Sequence, residues 1–549
     1  MKRLRTKQPV VSEQRIDRKY WFILLCIIVL AAGLRLFRLG NVPLSLYWEE
    51  AAIGYDAYSI AQTGKDYHGN PYPLLAFPSF GDYKPSLYFY TVVPFTWLLG
   101  RSEVAVRLPS ALAGIMTVFA VAEIGRLLWR GKYGLIAALL LAIQPWSIQV
   151  SRVGFETNLA TMLLSFGVLC VLYSKTKMRW LLVSTALFGL SMYAYHSARI
   201  VAPLLGLVTV LVVLGPQTIR KNILLCVSSL FIGLLFLAPI LVNLKNPVIS
   251  MRAAETSIFS DPSVVEESNV LREQQSFSPI SRVLYHRYTL FGQKILKQYL
   301  DNFSFSFLFV DGDENIRHGT QEFGLLYHWE AVTVLVGVYS LIKKKKKEFW
   351  VIVAWTMIAG IPVALTTLSP HTLRFLSAAP AFALLSGLGL IEIVEYIRGN
   401  KIVSNLTLLG VILSFTFSFA AYLHYYFRHY PIASSVDWQY GYKQLVTTLE
   451  TDYKNRDRIY VTREQGRPSI YFLFYGSEDV NAVQDQDKTI AKDQQELLRV
   501  GRYMFGDFIP TEKGLLVASS PAKKPDAAVE RFSVSLPDGK QIWSVWERL

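Results

Sequence analysis

Two adjacent carboxylates, Glu49 and Glu50, follow the first membrane-length apolar run of this chain, and Asp82-Tyr83-Lys84-Pro85 closes the same stretch just before the next apolar segment. Charge beside hydrocarbon is expensive, so an acidic pair at that place needs a reason. A carboxylate at a membrane surface can act as a general base if its neighbours keep its pKa in range. Adjacent residues at a helix start point in different directions, so only one of the pair faces a given substrate. The plainer account is a helix N-terminal pair, which acidic residues favour, ahead of AAIGYDAYSIAQTG. Lys84 also reads two ways. An interfacial lysine often snorkels to lipid head groups, whereas one sharing a loop with an acidic pair suits a phosphate at the bilayer surface.

Other polar residues gather at span boundaries that the charge pattern places on the same side. Arg152 and Glu156 stand four apart, a spacing that lets them pair with each other. Arg199 sits beside His196, and Arg374 beside His371, at equivalent boundaries. One boundary arginine is an anchor; several converging next to carboxylates mark a site for an anionic substrate. A divalent metal held by His196, His371 and a carboxylate is an alternative with no ligand spacing behind it. No other cofactor is implied.

The elements that position these residues are membrane helices. Of 549 residues 52% are hydrophobic and only 18% charged, against about a quarter charged in soluble proteins. The net charge of +15 falls in short blocks between apolar runs, which is membrane topology and excludes a nucleic-acid stripe. The three cysteines, Cys26, Cys170 and Cys226, lie in apolar runs without metal or disulfide spacing. A span needs roughly 20 apolar residues. Spans are expected near 20–38, 104–125, 133–150, 155–174, 179–195, 199–215, 222–243, 327–342, 349–367, 373–397 and 402–424. The first follows a basic tail and lacks a cleavage site, so it reads as a retained helix. With that tail cytoplasmic, Arg126/Arg130/Lys132, Lys175/Lys177/Arg179, Arg220/Lys221, Lys343–Lys347 and Arg398/Lys401 all fall inside. Segment 85–100 would invert this order as a full span, so it reads as re-entrant or interfacial, or as one of an extra pair. The expected fold is thus a polytopic α-helical membrane protein of about 11–13 helices over 1–425. Its outer face carries loop 38–103, a second long loop 244–326, and a small soluble α/β domain over 426–549. That last region has short apolar runs, DRIYVT, SIYFLFY and KGLLVASS, split by polar stretches. There is no internal repeat of the transporter kind.

The stretches WEEAAIGYDAYSIAQTGKDYHGN, SFGDYKPSLYFY, EVAVRLPSALAG and QPWSIQVSRVGFETN are similar to those of GT-C membrane glycosyltransferases. The resemblance is to a bacterial subgroup of the protein-mannosyltransferase and aminoarabinose-transferase branch, and covers residues 20–205 best. It implies an integral protein of the bacterial plasma membrane that moves a sugar from a polyprenyl-phosphate-linked donor to an acceptor glycan, lipid or protein. It also implies an outer-face reaction that inverts the anomeric centre. Glu49 stands where the family's catalytic Asp stands, and Lys84 where a Lys-Pro contacts the lipid phosphate. Glu50, Asp82, Arg152, Glu156, His196, Arg199, His371 and Arg374 are the further substrate-binding candidates. The extra methylene at Glu49 moves the carboxylate by ~1.5 Å, and misplacement of ~1 Å can cost ~100-fold in rate. The rival readings are a diphosphate-oligosaccharide transferase whose arginines sit in 244–326, a lipid-linked-sugar flippase, and a non-catalytic binding or scaffold member.

Overall fold

Each apolar run read as a span is helical, but not all are long enough to cross. The computed structural model describes residues 18–129, 131–344, 347, 350–399, 401–485 and 496–549. The basic tail up to residue 17, Arg130, and Lys345 and Lys346 of the lysine run lie outside the described residues.

Helix α1 (Arg18–Leu36) leads to a loop that folds into α2 (Trp48–Thr63), a hairpin of β1 (Ala76–Ser79) and β2 (Asp82–Pro85), and α3 (Leu87–Leu99). Then come α4 (Glu103–Leu128), α5 (Gly131–Ile143), α6 (Pro145–Ser151), α7 (Glu156–Ser174), α8 (Trp180–Ser191), α9 (Ala198–Lys221) and α10 (Ile223–Val242). The second long loop is itself helical, with α11 (Pro247–Thr256), α12 (Pro262–Gln274), α13 (Pro279–Leu284) and α14 (Arg287–Asp301). Helices α15 (Glu330–Lys344), α16 (Trp350–Ala364), α17 (Thr372–Phe375), α18 (Ala379–Tyr396), α19 (Lys401–His424) and α20 (Tyr430–Ala433) complete the membrane part.

Among the described residues seven helices have the length and apolarity to cross, or eight if the pair α5–α6, bent by 59°, is one span. The expected run 133–150 is therefore broken, at Gln144 before Pro145, where proline cannot continue a helix. Runs 179–195 and 349–367 give helices of 12 and 15 residues, shorter than the hydropathy suggests, and run 327–342 gives one of 15. Helix α3, read as interfacial or re-entrant, has 13 residues; at 1.5 Å per residue it reaches about 20 Å, short of a ~30 Å hydrocarbon layer.

Helices α15 and α18 touch backbone to backbone. A Cβ on Gly389 would stand 1.7 Å from the Thr333 carbonyl oxygen, and one on Gly337 2.1 Å from that of Leu385. Small residues at the contact are how apolar helices associate where lipid is as apolar as they are.

The C-terminal region begins later than residue 426, because a candidate span runs over Asn405–Ala433. Beyond it, α21 (Tyr442–Asp452), β3 (Ile459–Thr462), α22 (Pro468–Tyr475), α23 (Val480–Asp485), β4 (Arg499–Val500), β5 (Tyr503–Gly506), β6 (Leu516–Ser519), β7 (Ala528–Ser535) and β8 (Gln541–Arg548) form the α/β domain. Its six-stranded sheet has the order β4-β5-β3-β6-β8-β7, with β3 parallel to both neighbours and the outer pairs antiparallel. It is not a separate body resting on the membrane part. Ile53, Phe77 and Tyr88 from the first long loop share one buried cluster with Leu445, Ile470, Phe474 and Trp543.

Candidate active site

Two guanidiniums build the turn that presents the acidic pair. Arg107, fully buried on α4, donates to the carbonyls of Leu39 (3.2 Å) and Pro43 (2.8 Å). Arg152, also fully buried, donates to those of Leu34 (2.7 Å) and Val42 (3.0 Å). Arg107 then grips Glu50 with two nitrogens, at 2.9 and 3.1 Å, and the Gly154 N–H reaches the same carboxylate at 2.8 Å. A bidentate pair with a further donor satisfies a carboxylate that no water reaches. Glu50 and Arg152, expected among the substrate-binding residues, thus lie outside the cavity as internal braces. The spacing of Arg152 and Glu156 had suggested a mutual pair, but carbonyls of the α1 end take the arginine instead.

With Glu50 turned inward, Glu49 turns out. It lines a cavity of ≈ 630 Å³ together with Asp82, Lys84, Glu156, His196, Arg199, His371 and Arg374. The β1–β2 hairpin supplies two of these. Phe80 (φ 51°) and Gly81 (φ 81°) make its two-residue turn, the left-handed geometry that matches strand twist. Asp82 and Lys84, two apart on β2, therefore share a face. The Lys84 ammonium sits 2.8 Å from Glu49 Oε2 and 3.4 Å from Glu156 Oε1. Side-chain exposure separates the three: 30% for Glu49 against 8% for both Lys84 and Glu156. Glu49 is thus the more open of the two carboxylates that meet Lys84, and the Tyr47 hydroxyl adds a hydrogen bond to it at 3.2 Å.

The remaining candidates take up different posts. His196 Nε2 lies 3.0 Å from the Tyr83 carbonyl and so fixes β2 rather than joining a metal cluster. Arg199 on α9 uses Nε for the Met192 carbonyl at 3.4 Å, and Arg374 donates to Thr366 Oγ1 at 2.6 Å. Leu237, Ile240 and Leu241 of α10, with Leu365, give the cavity apolar lining.

Four residues of the second loop were missed: Asp313, Asn315, Arg317 and His318. Asp313, His318 and His371 present ligand atoms within 4.8 Å of one another. Asp313 Oδ2 is 3.2 Å from His318 Nδ1, 4.0 Å from His371 Nδ1, and accepts the Thr372 N–H at 2.7 Å. Burial pushes the Asp313 carboxyl up, but His318, His371 and that N–H outweigh it and hold it well below the usual carboxylate range. One carboxylate and two imidazoles, with His318 and His371 lining the cavity, match the donor set of a divalent metal with an open position. The residues fit such an ion, though not the set expected from sequence, since Asp313 and His318 stand where His196 was placed. The separation Asp313 to His318 offers no familiar ligand spacing, and His371 joins only through the fold.

Residues 83–242 match the family model described as dolichyl-phosphate-mannose-protein mannosyltransferase. No curated protein matches the chain in sequence. Its fold is similar to that of ArnT from Cupriavidus metallidurans bound to undecaprenyl phosphate: TM-score 0.52 at 11% identity, over 96% of this chain and 97% of that one. It is also similar to the oligosaccharyltransferase AglB from Archaeoglobus fulgidus, in complex with an inhibitory peptide and a dolichol-phosphate. There the TM-score is 0.51 at 13% identity, over 84% of this chain, which spans 64% of that protein's length. The same archaeal enzyme in complex with Zn and sulfate gives 0.50 at 14% identity, over 83% of this chain and 61% of that one. At such identities the likeness is one of fold. The family match is confined to residues 83–242; it and the fold make the chain similar to GT-C glycosyltransferases of the protein-mannosyltransferase and ArnT-like side.

Proposed function

From a GT-C fold whose cavity holds Glu49 paired with Lys84, we propose that the chain moves a sugar from a polyprenyl-phosphate donor to an acceptor hydroxyl on the outer face of the membrane. Glu49 takes the proton as the hydroxyl oxygen attacks the anomeric carbon; the bond from that carbon to the phosphate oxygen breaks, and polyprenyl phosphate leaves as an anion. A phosphate needs no general acid to leave; it needs cations where charge develops. Arg199 and Arg374 line the cavity together with the apolar residues that suit a prenyl chain. Lys84, held between Glu49 and Glu156, links the base to that charge. Asp313, His318 and His371 would hold a divalent cation, which supplies Lewis-acid polarisation of a bound oxygen. One base and a direct displacement invert the centre; double displacement would need a second carboxylate about 5 Å away as nucleophile. The product anomer therefore tests Glu49 alone against a joint role for Glu156, which shares the Lys84 ammonium.

The observation that carries this reading is the pairing of a half-buried, cavity-facing carboxylate with a buried lysine, both at one cavity with apolar lining that suits a lipid. The test is donor turnover by the purified protein in vesicles, with radiolabelled polyprenyl-phosphate sugars and membrane extract as acceptor. Label leaves the lipid in the wild type; Glu49→Gln lowers that rate at least 100-fold and Lys84→Ala at least tenfold, the scale at which a lost base or misplaced base is felt. Unaltered turnover in Glu49→Gln would remove the base from the mechanism. No turnover with any donor, in a protein that still binds polyprenyl phosphate, favours the binding or scaffold alternative.

A further inference from the structure

The proposed chemistry leaves Arg317 without a task. It lines the cavity from the second outer loop, and its guanidinium lies 5.2 Å from the Tyr47 ring and 5.2 Å from the Trp48 ring. Its Nε meets Asn315 Oδ1 at 3.4 Å, and among the described residues no carboxylate pairs with its terminal nitrogens. The backbone is tied at both ends: its N–H donates to Asn315 Oδ1 at 3.1 Å and its carbonyl accepts from Gln149 Nε2 at 2.8 Å. A planar cation laid on aromatic faces is pre-organised, so little order is lost when it binds an anion in its fork.

A second guanidinium approaches the same indole. Arg467, from the start of α22, lies 5.4 Å from the Trp48 ring and 4.3 Å from that of Phe80. The outer loop and the C-terminal domain thus each bring an arginine to Trp48, the residue next to the base.

The donor has other candidates in the cavity: the apolar residues of α10 and Leu365 suit its prenyl chain, and Arg199, Arg374 and Lys84 suit its phosphate. Arg317 instead stacks on Tyr47, whose hydroxyl touches Glu49 at 3.2 Å. The base meets the acceptor, so the guanidinium on its neighbour meets another part of the same acceptor. We infer that the acceptor carries a phosphate or carboxylate close to its reacting hydroxyl, and that Arg317, stacked on Tyr47 and Trp48, receives it. This rests on the transferase reading only for the word acceptor; the anion site stands or falls on binding alone.

The experiment is equilibrium binding to the full-length protein in lipid nanodiscs. The probes are glycerol 3-phosphate, glycerate and glycerol, with undecaprenyl phosphate titrated separately. At least one of the two anions binds tenfold or more tightly than glycerol, and whichever binds better names the group. Arg317→Gln removes that preference and leaves undecaprenyl phosphate affinity within twofold; Arg317→Lys keeps part of it, having charge without the fork. Saturating undecaprenyl phosphate does not displace the bound anion. Equal binding of glycerol and both anions overturns the inference. So does competition with undecaprenyl phosphate, which would make the arginine part of the donor site and can be read on the wild type even where a variant does not fold. Failure of undecaprenyl phosphate to bind at all sinks the transferase reading and leaves the anion result intact.

Discussion

Two neighbouring glutamates with the same side chain do opposite jobs, because a helix start points them in different directions. Glu50 sits at 0% exposure against Arg107, while Glu49 opens to the cavity. The sequence showed the pair and its chemistry; which member faced the substrate depended on Arg107, more than fifty residues on, and no local pattern marks it. Arg152, expected to pair with Glu156 or bind substrate, was misplaced for a similar reason, since its partners are backbone carbonyls and every residue has one. His371 was visible as a candidate, but Asp313 and His318 sat in a polar stretch, DGDENIRH, that looks like any loop. The two glutamates should therefore part company when each is made neutral. Glu50→Gln leaves the Arg107 guanidinium buried without its counter-charge, which costs on the order of 3–5 kcal/mol. Glu49→Gln leaves Lys84 paired with Glu156 and costs about 1 kcal/mol or less. Thermal unfolding of both variants in the same detergent reads the difference; equal melting temperatures would mean that Glu50 is no brace.

At the scale of elements, helix identity was legible from apolar runs, and helix length was not. Hydropathy cannot tell a full span from a short helix, and α8 and α16 end at Ser191 and Ala364, before the apolar runs 179–195 and 349–367 do. The hairpin that carries Lys84 was visible only as an ordered loop, since Phe80-Gly81 is not one of the usual Asn-Gly or Asp-Gly turns. One element makes its own pH prediction. Helix α22 begins with the Ser469 N–H donating to Glu496 at 2.7 Å, and Glu496 is 1% exposed. Burial pushes this carboxyl up to about 7, against the pull of the Ser469 bonds, Arg463 and Arg467. A folded-state pKa raised above the unfolded one means the folded state holds the proton more tightly. The associated stability is full below about pH 4 and is lost as pH rises through 7, a change of roughly 3 kcal/mol. The melting temperature of the protein should fall across that window by more in the wild type than in Glu496→Gln. Parallel profiles would show that the Glu496 carboxyl does not titrate there.

At the scale of the whole molecule, the C-terminal domain was legible as an α/β unit, yet its bond to the site was not. Trp48 donates its N–H to Gln439 Oε1 at 3.2 Å, and the Tyr471 hydroxyl reaches the Leu46 carbonyl at 3.1 Å. The first outer loop and the domain close to the end of the chain therefore hold one another, and must lie on one side of the membrane. Topology follows from that constraint together with charge. Tyr396, 91% exposed at the end of α18, lies beside Arg398 on the side rich in basic residues. Phe508, 89% exposed in the sheet domain, lies across the span Asn405–Ala433. In a chain whose native Cys26, Cys170 and Cys226 are replaced by serine, Phe508→Cys should react with an impermeant maleimide in intact cells. Tyr396→Cys should react only after the membrane is opened. The reverse pattern would put the cavity on the cytoplasmic face, where α3 would have to count as a crossing despite its 13 residues. Labelling of both in intact cells would mean that Asn405–Ala433 does not cross, and the acceptor would then have to be sought without a fixed side.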